Sequence, residues 1–304
     1  FAKVEKVVKP TCIVSTNTSG LPIKDISANF SASLKKRFLG THFFNPPRYM
    51  KLMEIIPGKE TDKKVVAYMS QFCEEVLGKG VVVCKDVPNF IGNRIGVYDL
   101  SNAQKVMVEK GLTIEEVDAI VGKVVGRPGT AVFGTMDLVG LDIGAHVSKN
   151  LYDAVPKDEC RNTFLPLDYQ TKMMENKWLG NKTKGGFYKK VKDEKGKNVK
   201  YALNWKTMEY AVAQKPKFES ISEAKKWVDF GVANSMKVAF NGQDAAGEYL
   251  REYLCNNFIY SANRIPEICN TIVEIDNAMK WGYNHQLGPF ESWDAIGVKE
   301  AVDV

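Results

Sequence analysis

Two residues, His42 and Glu54, have the types and the spacing of an acid–base pair. His42 lies in a predicted strand, Phe38–Phe44, and Glu54 lies twelve residues later in the next predicted strand, Lys51–Ile56. Adjacent strands can place two such side chains next to each other. A carboxylate that binds one imidazole nitrogen fixes the tautomer and makes the other nitrogen more basic. The pattern indicates a base that removes a hydroxyl proton, although a core histidine and an exposed glutamate would give the same pattern.

Ser19 and Asn93 could contact a ligand. Ser19 lies in the turn sequence NTSG (17–20), directly after the short β-branched run at 12–15. Ligands of open α/β sheets bind at the carboxyl ends of strands, so the Ser19 hydroxyl could bind a ligand oxygen. Alternatively, Asn17 and Ser19 could simply stabilise the turn. Asn93 begins a long predicted helix, where its amide could bind a carbonyl group or serve as a polar helix-start residue.

Other kinds of site are not indicated. The dinucleotide fingerprint G-x-G-x-x-G is absent, because the nearest match, Gly78–Val83, leads into a strand rather than out of one. The chain has 6 cysteines, far apart and without a C-x-x-C pair, and only 3 histidines. We therefore predict no metal site and no disulfide framework, and we expect reduced cysteines in a cytoplasmic protein.

The elements that must position these residues change in type along the chain. Strands and helices alternate up to about residue 86, which favours an α/β fold. Helical periods follow to about Tyr188, residues 189–220 are charged and irregular, and helices resume at about 221. No apolar run is long enough to predict a membrane span. The net charge of +6 is modest and the Lys-rich stretch also carries acidic residues, so nucleic acid is not predicted as a partner.

The helical part contains an internal repeat. Three short strings recur in the same order, and one of them has a constant offset of 157 residues. We interpret the repeat as a duplicated helical module whose two copies could share a core. The paired strings are 93–102 with 263–270, 117–120 with 275–278, and 133–140 with 290–297.

Over nearly its whole length the chain resembles the 3-hydroxyacyl-CoA dehydrogenase family. The matching strings are STNTSGLPI (15–23), FLGTHFFNPPRYMKLMEII (38–56), CKDVPNFIGNRI (84–95) and GNKTKGGFYKK (180–190). The second helical copy, with YSANRIPEI and EIDNAMKWGYNHQLGPFESWDAIGV, is similar to the two-copy form of large members, which often carry a fused enoyl-CoA hydratase domain. The resemblance implies a fatty-acid β-oxidation enzyme that converts a (S)-3-hydroxyacyl-CoA into a 3-ketoacyl-CoA with NAD.

The resemblance also implies residue roles. His42 is the expected catalytic base, Glu54 its partner, Ser19 a contact to the substrate oxygen, and Asn93 a contact near the thioester. The residues expected to approach the cofactor are Asn17, Ser19, Asn45 and Lys182.

The expected architecture is α/β followed by all-α, with a partial Rossmann-like domain. The family's first βαβ unit is expected to precede Phe1, so that the chain is a fragment that binds NAD poorly or not at all. We also expect an acyl-CoA substrate, a homodimer and a possible fused hydratase domain. The predicted domains are the C-terminal part of the NAD-binding domain at 1–86, the first helical domain at 87–192, a linker at 193–220, and the second helical copy, possibly truncated, at 221–304.

Two other functions remain open from the sequence. The duplicated helices could mainly dimerise or brace a multifunctional enzyme, with this fragment itself inactive. The chain could also belong to a hydroxyacid dehydrogenase that does not use coenzyme A. A free acid that replaces the thioester as substrate would indicate the latter.

Overall fold

The computed structural model describes residues 2–302 and, for Ala2, the backbone alone. The chain forms two compact units. Unit 1 consists of residues up to Gly96 together with Tyr260–Pro289, and unit 2 consists of Val97–Ile259 and the residues from Phe290 onward. Thirty residues of the predicted second helical copy therefore belong to the same unit as the predicted catalytic residues.

Seven strands and fifteen α-helices are defined among the described residues. The strands are β1 (Val14–Thr16), β2 (Phe38–Phe43), β3 (Leu52–Pro57), β4 (Gly80–Val83), β5 (Tyr188–Lys192), β6 (Asn198–Asn204) and β7 (Glu209–Val212). The helices are α1 (Ala2–Glu5), α2 (Ile23–Ile26), α3 (Ala32–Lys35), α4 (Lys63–Gln71), α5 (Gly92–Lys110), α6 (Ile114–Ile120), α7 (Phe133–Val139), α8 (Leu141–Ala154), α9 (Asp168–Glu175), α10 (Glu219–Lys225), α11 (Val232–Phe240), α12 (Ala245–Asn263), α13 (Ile272–Gly282), α14 (Pro289–Ile296) and α15 (Val298–Val302).

The sheet of unit 1 has four strands in the order β1-β2-β3-β4. The pairs β1–β2 and β3–β4 are parallel, whereas β2–β3 is antiparallel. The sheet is therefore mixed, and an α/β segment followed by helices is confirmed. In the antiparallel pair, His42 lies directly opposite Glu54. Opposed residues of two strands project from the same face of a sheet, so the predicted pair shares one face.

The two faces of this sheet have different coverings. On one face Leu39, Met53 and Ile55 pack with Cys73 and with apolar residues of α4, among them Val65 and Met69. Asp62 begins α4, and its side chain accepts a hydrogen bond from the Lys64 amide. The opposite face carries His42 and Glu54.

Residues 260–289 are tied to the rest of unit 1 by polar contacts. The guanidinium of Arg94 is fully buried and donates to the hydroxyl of Tyr260 at 2.7 Å. A second nitrogen of Arg94 lies 3.1 Å from the Glu267 carboxylate. The backbone amide of Lys85 donates to the carbonyl of Ile268 at 3.2 Å.

Unit 2 is mainly helical. Thr113 caps α6, and its reciprocal bonds with Glu116 form the capping box that the spacing of these two residues predicts. Asp118 accepts hydrogen bonds from the amides of Val132 and Phe133, which fixes the start of α7. No helix in residues 2–302 is both long and apolar enough to cross a bilayer.

The prediction of an irregular, charged segment at 189–220 is wrong, and so is that of a linker at 193–220. Strands β5, β6 and β7 form an antiparallel sheet in the order β5-β6-β7. In β6 apolar residues alternate with lysine and asparagine, as expected for a strand with one solvated face. The lysines are accommodated because their ammonium groups lie over tyrosine rings: Lys200 lies 3.3 Å from the ring centre of Tyr188 and Lys189 lies 3.9 Å from that of Tyr210.

One pairing of the predicted repeat does not join equivalent positions. Asn93 lies in the first turn of α5, whereas Asn263 is the last residue of α12. The other two pairings fall on helices in both copies, namely α6 with α13 and α7 with α14. The duplication itself stays a prediction.

Candidate active site

The centre of the site is a hydrogen bond between His42 and Glu54. The Nδ1 atom of His42 lies 2.6 Å from Oε2 of Glu54. Both residues are buried, with His42 4% exposed and Glu54 0% exposed. The register of β2 and β3 places them opposite each other, so the pair is set by backbone pairing rather than by flexible loops.

The carboxylate of Glu54 is held by two backbone amides and a thiol, each of which can donate a hydrogen bond to it. Its Oε1 atom accepts hydrogen bonds from the amide of Ile91 at 3.1 Å and from the amide of Gly92 at 2.7 Å. The thiol of Cys84 lies 3.5 Å from the same oxygen, and burial raises the pKa of this thiol well above its ordinary value. The start of α5 thus compensates the buried carboxylate, and Oε2 remains available to accept the Nδ1 proton.

This arrangement leaves Nε2 as the ring nitrogen of His42 that does not contact the carboxylate. When Nδ1 donates to the carboxylate, Nε2 carries a lone pair. No group within residues 2–302 hydrogen-bonds to Nε2, and this atom is not sealed from solvent. The ring is flanked by Phe44 and Phe90, with centroid separations of 4.7 and 5.8 Å. His42 therefore presents one basic nitrogen from an otherwise apolar setting.

The backbone before α5 is unusual. Asn89 and Phe90 both have positive φ, 62° and 51°. Such a conformation is uncommon for asparagine and an outlier for a bulky side chain. It places the buried Phe90 ring beside His42 and directs the two following amides to Glu54.

The structure brings together Ser19 and Asn93, which the sequence indicated only as separate candidates for ligand contacts. The side-chain Nδ2 of Asn93 donates to the backbone carbonyl of Ser19 at 3.0 Å. The Oδ1 atom of the same amide accepts a hydrogen bond from the hydroxyl of Tyr283 at 3.3 Å. Ser19 itself is exposed.

The remaining predicted cofactor contacts lie in different places. The side chain of Asn17 accepts a hydrogen bond from the amide of Phe43, which ties the turn to β2. Asn45 is exposed just after β2. Lys182 belongs to unit 2, where its ammonium group pairs with the carboxylate of Asp142. The structure therefore brings Asn17, but not Lys182, into unit 1 with His42.

Three parts of the site were not found from the sequence. They are the amides of Ile91 and Gly92, the thiol of Cys84 and the hydroxyl of Tyr283. Backbone amides carry no residue-type signal, and Tyr283 is 190 residues from Asn93 in the chain. The string CKDVPNFIGNRI does contain Cys84, Ile91 and Gly92, so their clustering in sequence was a signal that could have been used.

Two family models match the chain. Residues 1–87 match the model described as 3-hydroxyacyl-CoA dehydrogenase, NAD binding domain, and residues 90–190 match the C-terminal domain of the same family. Together the two ranges cover more than half of the chain. The chain belongs to the 3-hydroxyacyl-CoA dehydrogenase family. NAD as the cofactor of the family's first domain is thereby confirmed.

Named relatives agree with this family, and a solved structure shares the fold. A protein of Bacillus subtilis (strain 168) named "Probable 3-hydroxyacyl-CoA dehydrogenase" is 44% identical over 100% of this chain and 37% of its own length. A protein of Deinococcus radiodurans with the same name is 48% identical over 65% of this chain and 56% of its own length. The chain thus spans less than two thirds of either family member. The crystal structure of 3-hydroxybutyryl-CoA dehydrogenase from Escherichia coli K12 has a TM-score of 0.72 and covers 99% of this chain and 72% of its own chain, and at 22% identity it shows the shared fold.

The residues that would approach the nicotinamide end of NAD lie at one edge of the sheet. The exposed Ser19 and Asn45 follow strands β1 and β2, whose carboxyl ends share that edge because the two strands are parallel. A pyrophosphate group, in contrast, needs the open N-terminus of a helix. At the start of each described helix that directly follows a strand of the four-stranded sheet, a carboxylate of this chain accepts hydrogen bonds from backbone amides. Asp86 accepts from the amides of Ile23 and Lys24 at the start of α2. Asp62 and Glu54 accept from backbone amides at the starts of α4 and α5.

Proposed function

We propose that this family member oxidises the 3-hydroxyl group of an acyl-CoA thioester, with His42 as the general base. The observation that carries the proposal is the 2.6 Å bond from His42 Nδ1 to a carboxylate that is itself held by two backbone amides. That bond fixes the tautomer in which Nε2 accepts a proton. NAD, when bound, supplies the hydride acceptor for the reaction.

In the proposed reaction, the residues of this chain accept the substrate's hydroxyl proton and orient the substrate. The substrate hydroxyl donates its proton to Nε2 of His42 while the carbon–oxygen bond gains double-bond character. The imidazolium that forms is stabilised by the Glu54 side chain, whose Oε2 atom lies 2.6 Å from Nδ1. Phe44 and Phe90 limit water around the ring, which strengthens the interaction of the two charged groups. Ser19 and the Asn93 amide are proposed to bind the hydroxyl and thioester oxygens, which sets the distance of the reacting carbon.

The test is the oxidation of (S)-3-hydroxybutyryl-CoA by the full-length protein, followed through the formation of NADH. His42→Gln keeps a polar side chain but removes the base, and we expect kcat to fall roughly a thousandfold. His146→Gln is the matched control, because His146 is an exposed residue of unit 2. Unchanged activity of His42→Gln would overturn the proposal. Activity with free 3-hydroxybutyrate equal to that with the thioester would favour the hydroxyacid dehydrogenase alternative.

Helix α13 also packs on the sheet of unit 1, which is a contact within this chain and does not test the bracing alternative. The indole of Trp281 on α13 lies against Gly80 of β4, where a Cβ atom would be only 2.4 Å from the ring. The ammonium group of Lys51 lies 4.8 Å from the centre of the same indole. We infer that α13 braces β3 and β4, in addition to any role in a homodimer or beside a fused hydratase domain. Trp281→Ala is expected to lower the melting temperature of unit 1.

A further inference from the structure

Tyr283, the residue after α13, reaches the candidate active site of unit 1. Its hydroxyl donates to Oδ1 of Asn93 at 3.3 Å. Its ring lies 5.9 Å, centre to centre, from the ring of Phe44, which in turn lies 4.7 Å from the imidazole of His42. Tyr283 therefore contacts both the side-chain amide of Asn93 and the Phe44 ring that flanks His42.

The position of the Tyr283 ring depends on glycines that pack against it and against neighbouring side chains. A Cβ atom on Gly96 would come within 2.0 Å of Cζ and 2.2 Å of the hydroxyl oxygen of Tyr283. One turn earlier, a Cβ atom on Gly92 would lie 2.5 Å from the Phe44 ring. Similarly, a Cβ atom on Gly282 would lie 2.7 Å from the side chain of Leu52. Larger residues at these positions would displace the rings, so the phenol is held by close packing against α5 as well as by its hydrogen bond.

The hydrogen bonds of Asn93 determine which end of its amide faces which neighbour. The Ser19 carbonyl can only accept, so it binds one N–H of the Asn93 amide. The Tyr283 hydroxyl donates to the oxygen of the same amide. One N–H of Asn93 then remains for a substrate oxygen, and the competing acceptor, Oδ1, is occupied.

We propose that Tyr283 is a positioning residue that holds the Asn93 amide with its free N–H toward the thioester oxygen of the substrate. This inference rests on the proposed function for the role of the substrate, and on the two hydrogen bonds of Asn93 alone for the orientation of the amide. It assigns a part of the dehydrogenase site to the predicted second helical copy.

The test compares Tyr283→Phe with wild type in the full-length protein. Phenylalanine keeps the ring against Gly96 and Phe44 and removes only the hydroxyl. We expect kcat/KM for (S)-3-hydroxybutyryl-CoA to fall roughly three- to tenfold, the effect of one hydrogen bond, with little change in melting temperature. Tyr68→Phe is the matched control, because Tyr68 is an exposed residue of α4.

A double-mutant cycle separates positioning from a general structural role. If Tyr283 acts through Asn93, the effect of Tyr283→Phe on kcat/KM disappears when Asn93 is already alanine. Equal effects in both backgrounds, or no effect in either, would overturn the inference.

A second readout does not depend on turnover. The side-chain amide protons of Asn93, assigned by their loss in Asn93→Ala, should shift and exchange faster with solvent in Tyr283→Phe but not in Tyr68→Phe. An unchanged amide spectrum contradicts the inference even in an active enzyme. An inactive wild-type protein with the expected spectral change contradicts the proposed function and supports the orientation of Asn93 by Tyr283.

Discussion

Replacement of Glu54 by glutamine should inactivate the site with a moderate loss of stability. In Glu54→Gln the side-chain oxygen can still accept from the amides of Ile91 and Gly92, which leaves the new NH₂ group facing His42. Since that group donates, Nδ1 must accept, and the ring proton moves to Nε2. The imidazole then has no lone pair for the substrate hydroxyl.

The expected fall in kcat follows from the change of the His42 tautomer. In a serine protease the equivalent Asp-to-Asn change lowers kcat about 10⁴-fold with the geometry intact. We expect a loss of about 10³- to 10⁴-fold in kcat here. Stability should change less than in Glu54→Ala, which would leave two buried amides without an acceptor, at about 1–3 kcal/mol each.

The assay is steady-state oxidation of (S)-3-hydroxybutyryl-CoA together with urea unfolding of the same preparations. Glu60→Gln, an exposed residue of unit 1, is the control for the loss of one negative charge. The reasoning is refuted if Glu54→Gln folds normally and keeps kcat within tenfold of wild type. It is also refuted if Glu54→Ala is no less stable than Glu54→Gln, because the amide contacts would then contribute nothing.

Two further predictions concern stability. Because Asn89 has a φ of 62°, Asn89→Gly should leave the free energy of unfolding nearly unchanged, whereas Asn89→Ala should lower it by about 1 kcal/mol in urea denaturation; equal effects of the two changes would contradict the strain argument. Burial raises the pKa of Asp118 to about 6, and the amides of Val132 and Phe133 and the Tyr188 hydroxyl only partly offset this. The folded pKa lies above the unfolded one, so the contribution of Asp118 to stability is present below about pH 4 and is lost as pH rises through 6. Carboxyl-carbon NMR should give a midpoint near 6, and a midpoint near 4 would show that this carboxylate is not desolvated.

The sequence was sufficient for the part of the site that depends on neighbouring strands. His42 and Glu54 were expected to pair because two short strands follow each other, and strand register then decides which side chains are opposed. The capping box of α6 was equally local. These features depend on contacts between residues close in the chain.

Long-range contacts could not be predicted in the same way. The amides that hold Glu54 come from residues 37 and 38 positions later, and Tyr283 meets Asn93 across 190 positions. The β5–β7 sheet was missed for a different reason. Its lysines look like a solvated loop in sequence, whereas in the fold the ammonium groups of Lys189 and Lys200 lie over tyrosine rings.

The discontinuity of unit 1 has a consequence for synthesis on the ribosome. The sheet that carries His42 and Glu54 is made first, but Tyr260–Pro289 of the same unit leaves the exit tunnel only after all of Val97–Ile259. Until then the nascent sheet lacks the helix that packs against Gly80 and the tyrosine that packs against Gly96. Translation that pauses before residue 289 therefore leaves an apolar surface open to chaperones, and the last step in building the site is the return of the chain to the sheet that carries His42.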